Sequence, residues 1–131
     1  MKTLKISDSN NEFLLFDLRD ILELINDGNK FTWTIREIDI NIIEPSKQLL
    51  RMNDKDYSLL DSIMDSKGYD IIWDELIRIS TLNIQVINGC ICGYYDDKRI
   101  VIKVVDGSYW TVVTNVDLII HKIKNRFPCS A

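Results

Sequence analysis

The last third of the chain constrains the fold most, because it holds three apolar, β-branched segments separated by turn residues. The segments cover residues 83–95, 99–105 and 109–114. Asp96-Asp97 separates the first pair, and Asp106-Gly107 separates the second pair. Asp-Gly between two such runs is a strong hairpin signal, since a type I′ turn needs positive φ at both central residues. The pattern therefore predicts a three-stranded antiparallel meander.

Apolar residues at helical spacing predict helices elsewhere in the chain. The predicted helices are residues 13–25, 55–65 and 72–82, with a weak helix or turn at 46–52. A further helix is predicted at the C-terminus, with Thr114 or Asn115 as its cap. Leu59, Leu60, Ile63 and Met64 form the expected apolar stripe of the second helix. In the third helix, Trp73, Leu76, Ile77 and Ser80 are expected to face inward. The stripe of the last helix is Val116, Ile119, Ile120, Ile123 and Phe127.

Residues 31–42 alternate with a period of two, which is typical of a strand, but the apolar parity changes midway. Trp33 and Ile35 share one parity, whereas Ile38 and Ile40 have the other. A one-residue change of parity moves side chains to the opposite face. We therefore expect either a bulge near Arg36-Glu37 or two short strands.

The element order of helix, strands, helices, meander and helix predicts an α+β fold. We expect a mainly antiparallel sheet with a C-terminal three-stranded meander and helices packed on one face. The 131 residues fit a single domain spanning 1–131.

Composition narrows the class of protein. The net charge is −4 and the pI about 4.9, which argues against general nucleic-acid binding, because that requires clustered Lys and Arg. No apolar run reaches the length of a signal peptide or a membrane span. The three cysteines are an odd number and make no disulfide framework. We expect a cytoplasmic protein that contacts neither nucleic acid nor membrane directly.

Few residues suggest catalysis. His121, the single histidine, follows Asp117 by one helical turn; it could be an oriented general base, but a solvated histidine is the favoured interpretation. Cys90 and Cys92 would share one face of a strand, where apolar packing is favoured over a metal half-site or a reactive thiol. Phosphate-binding and nucleophile-elbow motifs are absent from the sequence. We expect no enzyme activity, no cofactor and no metal.

Two other features concern glycines and aromatics. Gly89 and Gly93 are expected to relieve crowding where another element crosses their strand. Tyr109 and Trp110 are neighbours in a predicted strand, so one of them must face away from the core, where it could anchor an interface or be covered by a helix.

Charge is distributed unevenly along the sequence. Residues 54–75 carry a net charge of −5, and residues 98–126 a net charge of +4. An acidic region can steer a basic partner, although two ordinary solvated helix faces would look the same. The predicted partner-binding residues are Asp54, Asp56, Asp61, Asp65, Asp70, Asp74 and Glu75.

Three segments carry a resemblance to a known family. Residues 72–76 (IWDEL), 85–89 (QVING) and 106–112 (DGSYWTV), with the helix ending at Phe127, resemble small bacterial immunity proteins of contact-dependent growth inhibition. The resemblance covers roughly the C-terminal half and rests on structural motifs. It implies a cytoplasmic protein that binds a cognate toxin domain and blocks its active site or substrate access, without a cofactor.

The resemblance makes a toxin-neutralising immunity protein the leading hypothesis. A cationic nuclease is the kind of toxin that would suit the acidic segment, and we expect a monomer or weak homodimer. One alternative is a small-molecule-binding domain or minor enzyme with a pocket between helices and sheet. Another is a structural subunit of a larger assembly.

Overall fold

The computed structural model describes residues 1–6, 18–42, 52–82, 84–106, 109–127 and 129–130. Within them, four α-helices accompany one antiparallel sheet of seven strands in the order β3-β2-β4-β5-β6-β1-β7. The strands are β1 (Lys2–Ile6), β2 (Thr32–Ile42), β3 (Tyr69–Ile71), β4 (Ile84–Tyr95), β5 (Lys98–Val105), β6 (Tyr109–Thr114) and β7 (Cys129–Ser130). The helices are α1 (Leu18–Leu22), α2 (Asp54–Met64), α3 (Trp73–Ser80) and α4 (Asp117–Arg126). The predicted α+β fold with an antiparallel sheet is confirmed.

The predicted meander is the centre of this sheet. Strands β4, β5 and β6 pair in sequence order, with Ile91 opposite Ile102 and Ile102 opposite Val112. Both connecting turns contain an aspartate with positive φ, 51° at Asp96 and 53° at Asp106. Aspartate tolerates this conformation better than most residues, which explains why these positions end the strands. Gly107, the second residue of the predicted hairpin turn, lies outside the described residues.

Of the alternatives that the sequence left open for residues 31–42, the structure shows the bulge. The pairing of β2 with β4 shifts between Ile35 and Glu37, so Arg36 is the extra residue. The shift returns Ile38 to the buried side of the sheet, where it is 7% exposed. A second shift follows between Asp39 and Ile40. The change of apolar parity in the sequence therefore has its cause in strand geometry rather than in a break between two strands.

Three strands, β1, β3 and β7, were not predicted. β1 pairs with β6 and buries Leu4 and Ile6, but two apolar residues are too few to establish a period of two. β3 pairs with only Trp33, Thr34 and Ile35 of β2. Only Ile72 separates β3 from α3, so the sequence gives no sign that distinguishes these three residues from the connection between two helices.

The helices overlap the predicted segments where the structure describes them, but α1 ends at Leu22, three residues before the predicted end at residue 25. The first part of the predicted 13–25 helix and nearly all of the 46–52 segment lie outside the described residues. The cap predicted for α4 is wrong: its N-cap is Val116. Thr114 Oγ1 accepts a hydrogen bond from the Val116 N–H and donates to the Arg99 carbonyl, and Asn115 Oδ1 accepts from the Arg99 N–H. Both predicted caps therefore hold the start of β5 against the end of β6 before the helix begins.

Two predicted apolar stripes need correction. Met64 is 43% exposed and lies outside the buried side of α2. In α3, Leu76 and Ser80 are buried as predicted, but Ile79 is the third buried residue. Trp73 and Ile77 are partly buried against the core. The stripe of α4 is confirmed, with Ile119, Ile120, Ile123 and Phe127 buried and Val116 packed against them.

The core lies on one face of the sheet. Alternate residues of every long strand are buried there, and they form a single cluster with apolar residues of all four helices. Trp110 belongs to this face, whereas its neighbour Tyr109 is half-buried on the opposite face, under the Lys5 ammonium group 4.4 Å from its ring centre. One aromatic of this pair therefore faces away from the core, as predicted. No helix in the described ranges is long and apolar enough to cross a membrane.

The prediction that another element crosses the strand at Gly89 and Gly93 is wrong, because the nearest atoms at both positions belong to the sheet itself. A Cβ at Gly93 would lie 2.7 Å from the Trp33 ring, and Trp33 is the residue directly opposite on β2. A Cβ at Gly89 would lie 3.1 Å from Val86 of the same strand. Gly93 is therefore required by a neighbouring indole within the sheet, not by an element that crosses it.

Candidate functional site

The outer side of α2 gathers three of the predicted partner-binding carboxylates. Asp54, Asp61 and Asp65 are separated by seven and four residues, which places them one above another on a helix. All three are exposed. The opposite side of the helix buries Leu60 and Ile63. The helical register therefore converts part of an acidic sequence into a continuous acidic stripe.

Two exposed apolar side chains lie beside this stripe. Tyr57 is 45% exposed and Met64 is 43% exposed. They are seven residues apart, so they occupy the same side of the helix between the acidic stripe and the buried residues. We call Asp54, Tyr57, Asp61, Met64 and Asp65 together the α2 surface. Helical periodicity places these five residues on one side of α2. The sequence prediction missed the arrangement because it assigned Met64 to the buried stripe.

Asp56 does not belong to the α2 surface. It is 4% exposed, and its two carboxylate oxygens accept from Arg78 Nε at 3.0 Å and Nη2 at 2.8 Å. Its Oδ2 also accepts from the Asn53 N–H, while Asn53 Oδ1 accepts from the Asp56 N–H. The hydrogen bond from Arg78 is the main cause that lowers the pKa of Asp56. Asp56 thus caps α2 and joins it to α3, and the Asn53-x-x-Asp56 spacing is the sequence signature of that cap.

The other three predicted acids lie on the next two elements. Asp70 is exposed on β3, and its Oδ1 accepts from Thr34 Oγ1 at 3.0 Å. Asp74 and Glu75 are in the first turn of α3, where Asp74 is exposed and Glu75 half-buried. Acids in a first turn stabilise the helix through its dipole, and α3 has no side-chain cap. These two residues therefore have a structural role that does not depend on a partner.

The sheet face opposite the core is a second accessible surface, which the sequence did not identify. One row across it contains Thr34, Cys92, Val101, Val113 and Thr3, and each is half-buried or exposed. The next row contains Glu37, Cys90, Lys103, Thr111 and Lys5. We call these rows the open sheet face. It combines Thr, Lys and Glu side chains with two valines, Val101 and Val113, and the two cysteines.

The two cysteines share this open sheet face. Their common direction was predicted correctly, but they do not pack in the core. Burial is the main cause that raises the pKa of the Cys90 thiol, while Lys103 and Arg36 act in the opposite direction. A raised pKa keeps the thiol protonated, which is unfavourable for a nucleophile. His121 is exposed on α4, and the described ranges hold no group of three or more His, Cys, Asp or Glu residues arranged to bind a metal ion.

Two cavities lie next to the sheet. A closed cavity between α3 and the sheet, next to Ile79 and Ile38, has a volume of about 10 Å³, which is at the lower limit for one water molecule. A larger recess of about 310 Å³ lies at the edge of the sheet beside Trp73 and Asp70. Neither cavity is lined by His121, Cys90 or Cys92.

Comparisons with known proteins add no identification. No protein-family model matches the chain, and no curated protein or solved structure shows significant similarity to it. Function is therefore inferred from the chain's own residues.

Proposed function

We propose that this protein is an immunity protein that binds a cognate toxin domain through the α2 surface and blocks the toxin's active site or access to its substrate. The observation that carries the proposal is the acidic stripe of Asp54, Asp61 and Asp65 beside the exposed Tyr57 and Met64. Charge complementarity raises association rates and selects partners. Buried aromatic and methionine side chains supply much of the affinity at protein interfaces. The α2 surface offers both.

The charges by themselves would not hold a partner. An exposed ion pair contributes about 0–1 kcal/mol, and salt screens it. Covering an apolar side chain contributes more, on the order of 25 cal/mol for each Å² removed from water. We therefore assign partner selection and approach to the carboxylates, and retention of the partner to Tyr57 and Met64.

The contacts that fix α2 in the fold are suitable for an inhibitor. The capping box of Asn53 and Asp56 fixes the start of the helix, and the paired hydrogen bonds from Arg78 fix it against α3. A rigid surface loses little conformational entropy on binding, which favours tight complexes. The Asp56–Arg78 pair thus supports the proposed function without contacting the partner.

A cationic nuclease is the toxin class that best matches this surface. Such an enzyme presents Lys and Arg to the phosphates of its substrate. An acidic helix placed on the same groups would compete with the nucleic acid and exclude it. This part of the proposal is supported by the charge of the α2 surface.

The proposed role is binding rather than catalysis. The raised pKa of Cys90 and the exposed position of His121 both disfavour the nucleophile and the general base considered from the sequence. A small-molecule pocket between the helices and the sheet is the alternative. The cavity beside Ile79 gives that alternative little support, because about 10 Å³ is far below the ~300 Å³ typical of ligand sites, so the alternative would depend on the recess of about 310 Å³ beside Trp73.

The test is a capture experiment with a variant that removes only the acidic stripe. Tagged wild type and the triple variant D54N/D61N/D65N are used to capture proteins from a native lysate at increasing salt. The control is D97N/D106N/D117N, which makes the same change of charge at exposed positions outside α2. We expect wild type and control to retain one stoichiometric, salt-sensitive partner that the α2 variant loses.

Two results would overturn this assignment. Equal retention of the partner by the α2 variant would remove the α2 surface from the interface. Recovery of no stoichiometric partner by wild type would leave the binding role without support. Asp54 and Asp117 each lie in the first turn of a helix, where a carboxylate contributes about 0.3–1 kcal/mol. Thermal unfolding of all three proteins should therefore agree within about 1 kcal/mol in free energy, which separates loss of binding from loss of fold.

A further inference from the structure

The recess at the sheet edge has an aromatic floor. It lies where β2 and β3 meet the 3-10 turn Gly28–Lys30 and the start of α3, and its volume is about 310 Å³. Phe31, Trp33 and Trp73 are among the residues that line it. Phe31 and Trp33 are almost fully buried, whereas Trp73 is only partly buried and reaches the solvent. The recess is thus open, with aromatic rings as its base.

The rings are held in fixed positions. Trp33 and Trp73 stack with ring centres 5.4 Å apart and an interplanar angle of 26°, and Phe31 lies 5.6 Å from Trp33. Trp33 Nε1 donates to the Gly28 carbonyl at 2.8 Å. A Cβ at Gly28 would overlap the Trp73 ring, so this glycine provides the space in which the indole sits. The site is therefore preformed before any ligand arrives.

One carboxylate lies beside the aromatic rings of the recess. Asp70 is the charged residue among the described side chains that line the recess. The hydrogen bond from Thr34 Oγ1 to Asp70 Oδ1, 3.0 Å long, orients its carboxylate, and no described Lys or Arg forms an ion pair with it. An indole face attracts cations through its quadrupole. Trp73 and Asp70 together favour a ligand that is flat, apolar along its stem and positively charged at its end.

We propose that this recess receives an arginine side chain of the protein partner. The inference rests on the proposed function, because it gives the partner's chemistry at a second point outside α2. A guanidinium group fits better than an ammonium group, since it is planar, stacks on aromatic rings and can bind a carboxylate with two hydrogen bonds. The methylene stem would cover Ile72, which is 63% exposed at the rim. A partner with a basic surface supplies such a side chain.

The recess is tested first without the partner. The ¹⁵N-labelled full chain is titrated with N-acetyl-arginine methylamide, and separately with the uncharged analogue N-acetyl-citrulline methylamide, while the indole N–H resonances are followed by NMR. We expect a saturable shift of the Trp73 resonance with the arginine compound at millimolar concentration, and binding of the citrulline compound about tenfold weaker. D70N should abolish the difference between the two compounds, whereas D74N, on an acid outside the lining, should keep it.

A Trp73 resonance that does not move with the arginine compound, or equal binding of both compounds by wild type, overturns the inference. The captured partner gives the second test, because D70N should weaken its retention and D74N should not. If D70N retains the partner as well as wild type while D54N/D61N/D65N loses it, the recess is excluded from the interface and the proposed function stands. If the arginine compound binds as described but no partner is captured, the proposed function fails, and with it the assignment of the recess to a partner.

Discussion

At the residue scale, packing against Trp33 determines which side chains β4 can carry. Trp33 is 1% exposed and stacks on Trp73, and the Phe31 ring also lies close to it. Gly93 lies directly opposite it in the sheet. The glycine is therefore fixed by the volume of an indole, a requirement that the sequence alone does not reveal because the two residues are sixty positions apart.

The substitution Gly93→Ala should lower the free energy of unfolding by about 1–3 kcal/mol, as for other overpacked cores. The new Cβ would lie 2.7 Å from the Trp33 ring, and the stacked rings around Trp33 leave it no room to move. Gly68→Ala is the control, because its Cβ would have Thr34 as its nearest neighbour at 4.0 Å. Urea unfolding followed by tryptophan fluorescence measures both. A Gly93→Ala protein as stable as wild type would contradict this account of the core.

Asp56 is the residue whose charge the fold depends on most directly. Arg78 lowers its pKa in the folded state, so the unfolded chain binds the proton more readily. The resulting stabilisation is present above the unfolded pKa and is lost as the pH falls through the folded pKa. The relevant window lies below about pH 4.

We therefore expect acidification below about pH 4 to destabilise wild type more steeply than Asp56→Asn. At neutral pH, Asp56→Asn should itself be less stable by about 1–3 kcal/mol, because it removes the charge of a buried carboxylate that accepts two hydrogen bonds from the partly exposed Arg78. Asp61→Asn is the matched control, since Asp61 is exposed on the same helix, and it should keep the wild-type slope. The measurement is the free energy of urea unfolding between about pH 5 and pH 2. Parallel slopes for wild type and Asp56→Asn would disprove the role given to this pair.

At the element scale, α2 begins where its sequence directs it to begin. Asn53 Oδ1 accepts from the Asp56 N–H at 2.9 Å, and Asp56 Oδ2 accepts from the Asn53 N–H at 2.9 Å. Reciprocal bonds of this kind satisfy backbone donors that the first turn of a helix leaves free. The same two residues position the α2 surface, so the cap links local structure to the proposed function.

Asn53→Ala should reduce the free energy of unfolding by about 1 kcal/mol, the usual cost of removing an N-cap side chain. Ser58→Ala, an exposed change within α2, should be neutral or slightly stabilising because alanine is the better helix former. Thermal unfolding followed by circular dichroism distinguishes the two. An Asn53→Ala protein that unfolds like Ser58→Ala would mean that the cap contributes nothing to α2.

Elements with strong periodicity could be predicted from the sequence, and weakly patterned ones could not. The meander was predictable, and the bulge of β2 was one of the alternatives predicted, because apolar parity reports directly which face is buried. β1 and β3 are too short to show a period, and they form because long strands already offer an edge for pairing. For the candidate site, the acids were visible in the sequence. Tertiary contacts decide which of these acids form the exposed stripe. They also decide that Asp56 pairs with Arg78 and that Asp70 lines the recess.

At the scale of the whole molecule, the two faces of the sheet differ in chemistry. One face is buried with the helices in a single core. The open sheet face mixes charged residues such as Lys103 and Glu37 with the half-buried Val101 and Val113. Obligate homodimers bury faces that are more apolar than this.

The protein should therefore behave as a monomer or a weak homodimer. Sedimentation velocity over a range of protein concentrations measures this directly. We expect a monomer that associates only as the concentration rises. A stable oligomer that persists on dilution would instead favour the structural-subunit hypothesis, in which the open sheet face joins copies of the chain.

The immunity role is tested most directly by growth rescue. The partner domain captured by wild type is expressed in bacteria alone, with wild type, with D54N/D61N/D65N or with D97N/D106N/D117N. We expect the domain alone to stop growth, wild type and the D97N/D106N/D117N control to restore it, and the α2 variant to restore it poorly at equal protein level. A partner domain that does not affect growth, or full rescue by the α2 variant, would contradict the proposal that this protein neutralises a toxin through its α2 surface.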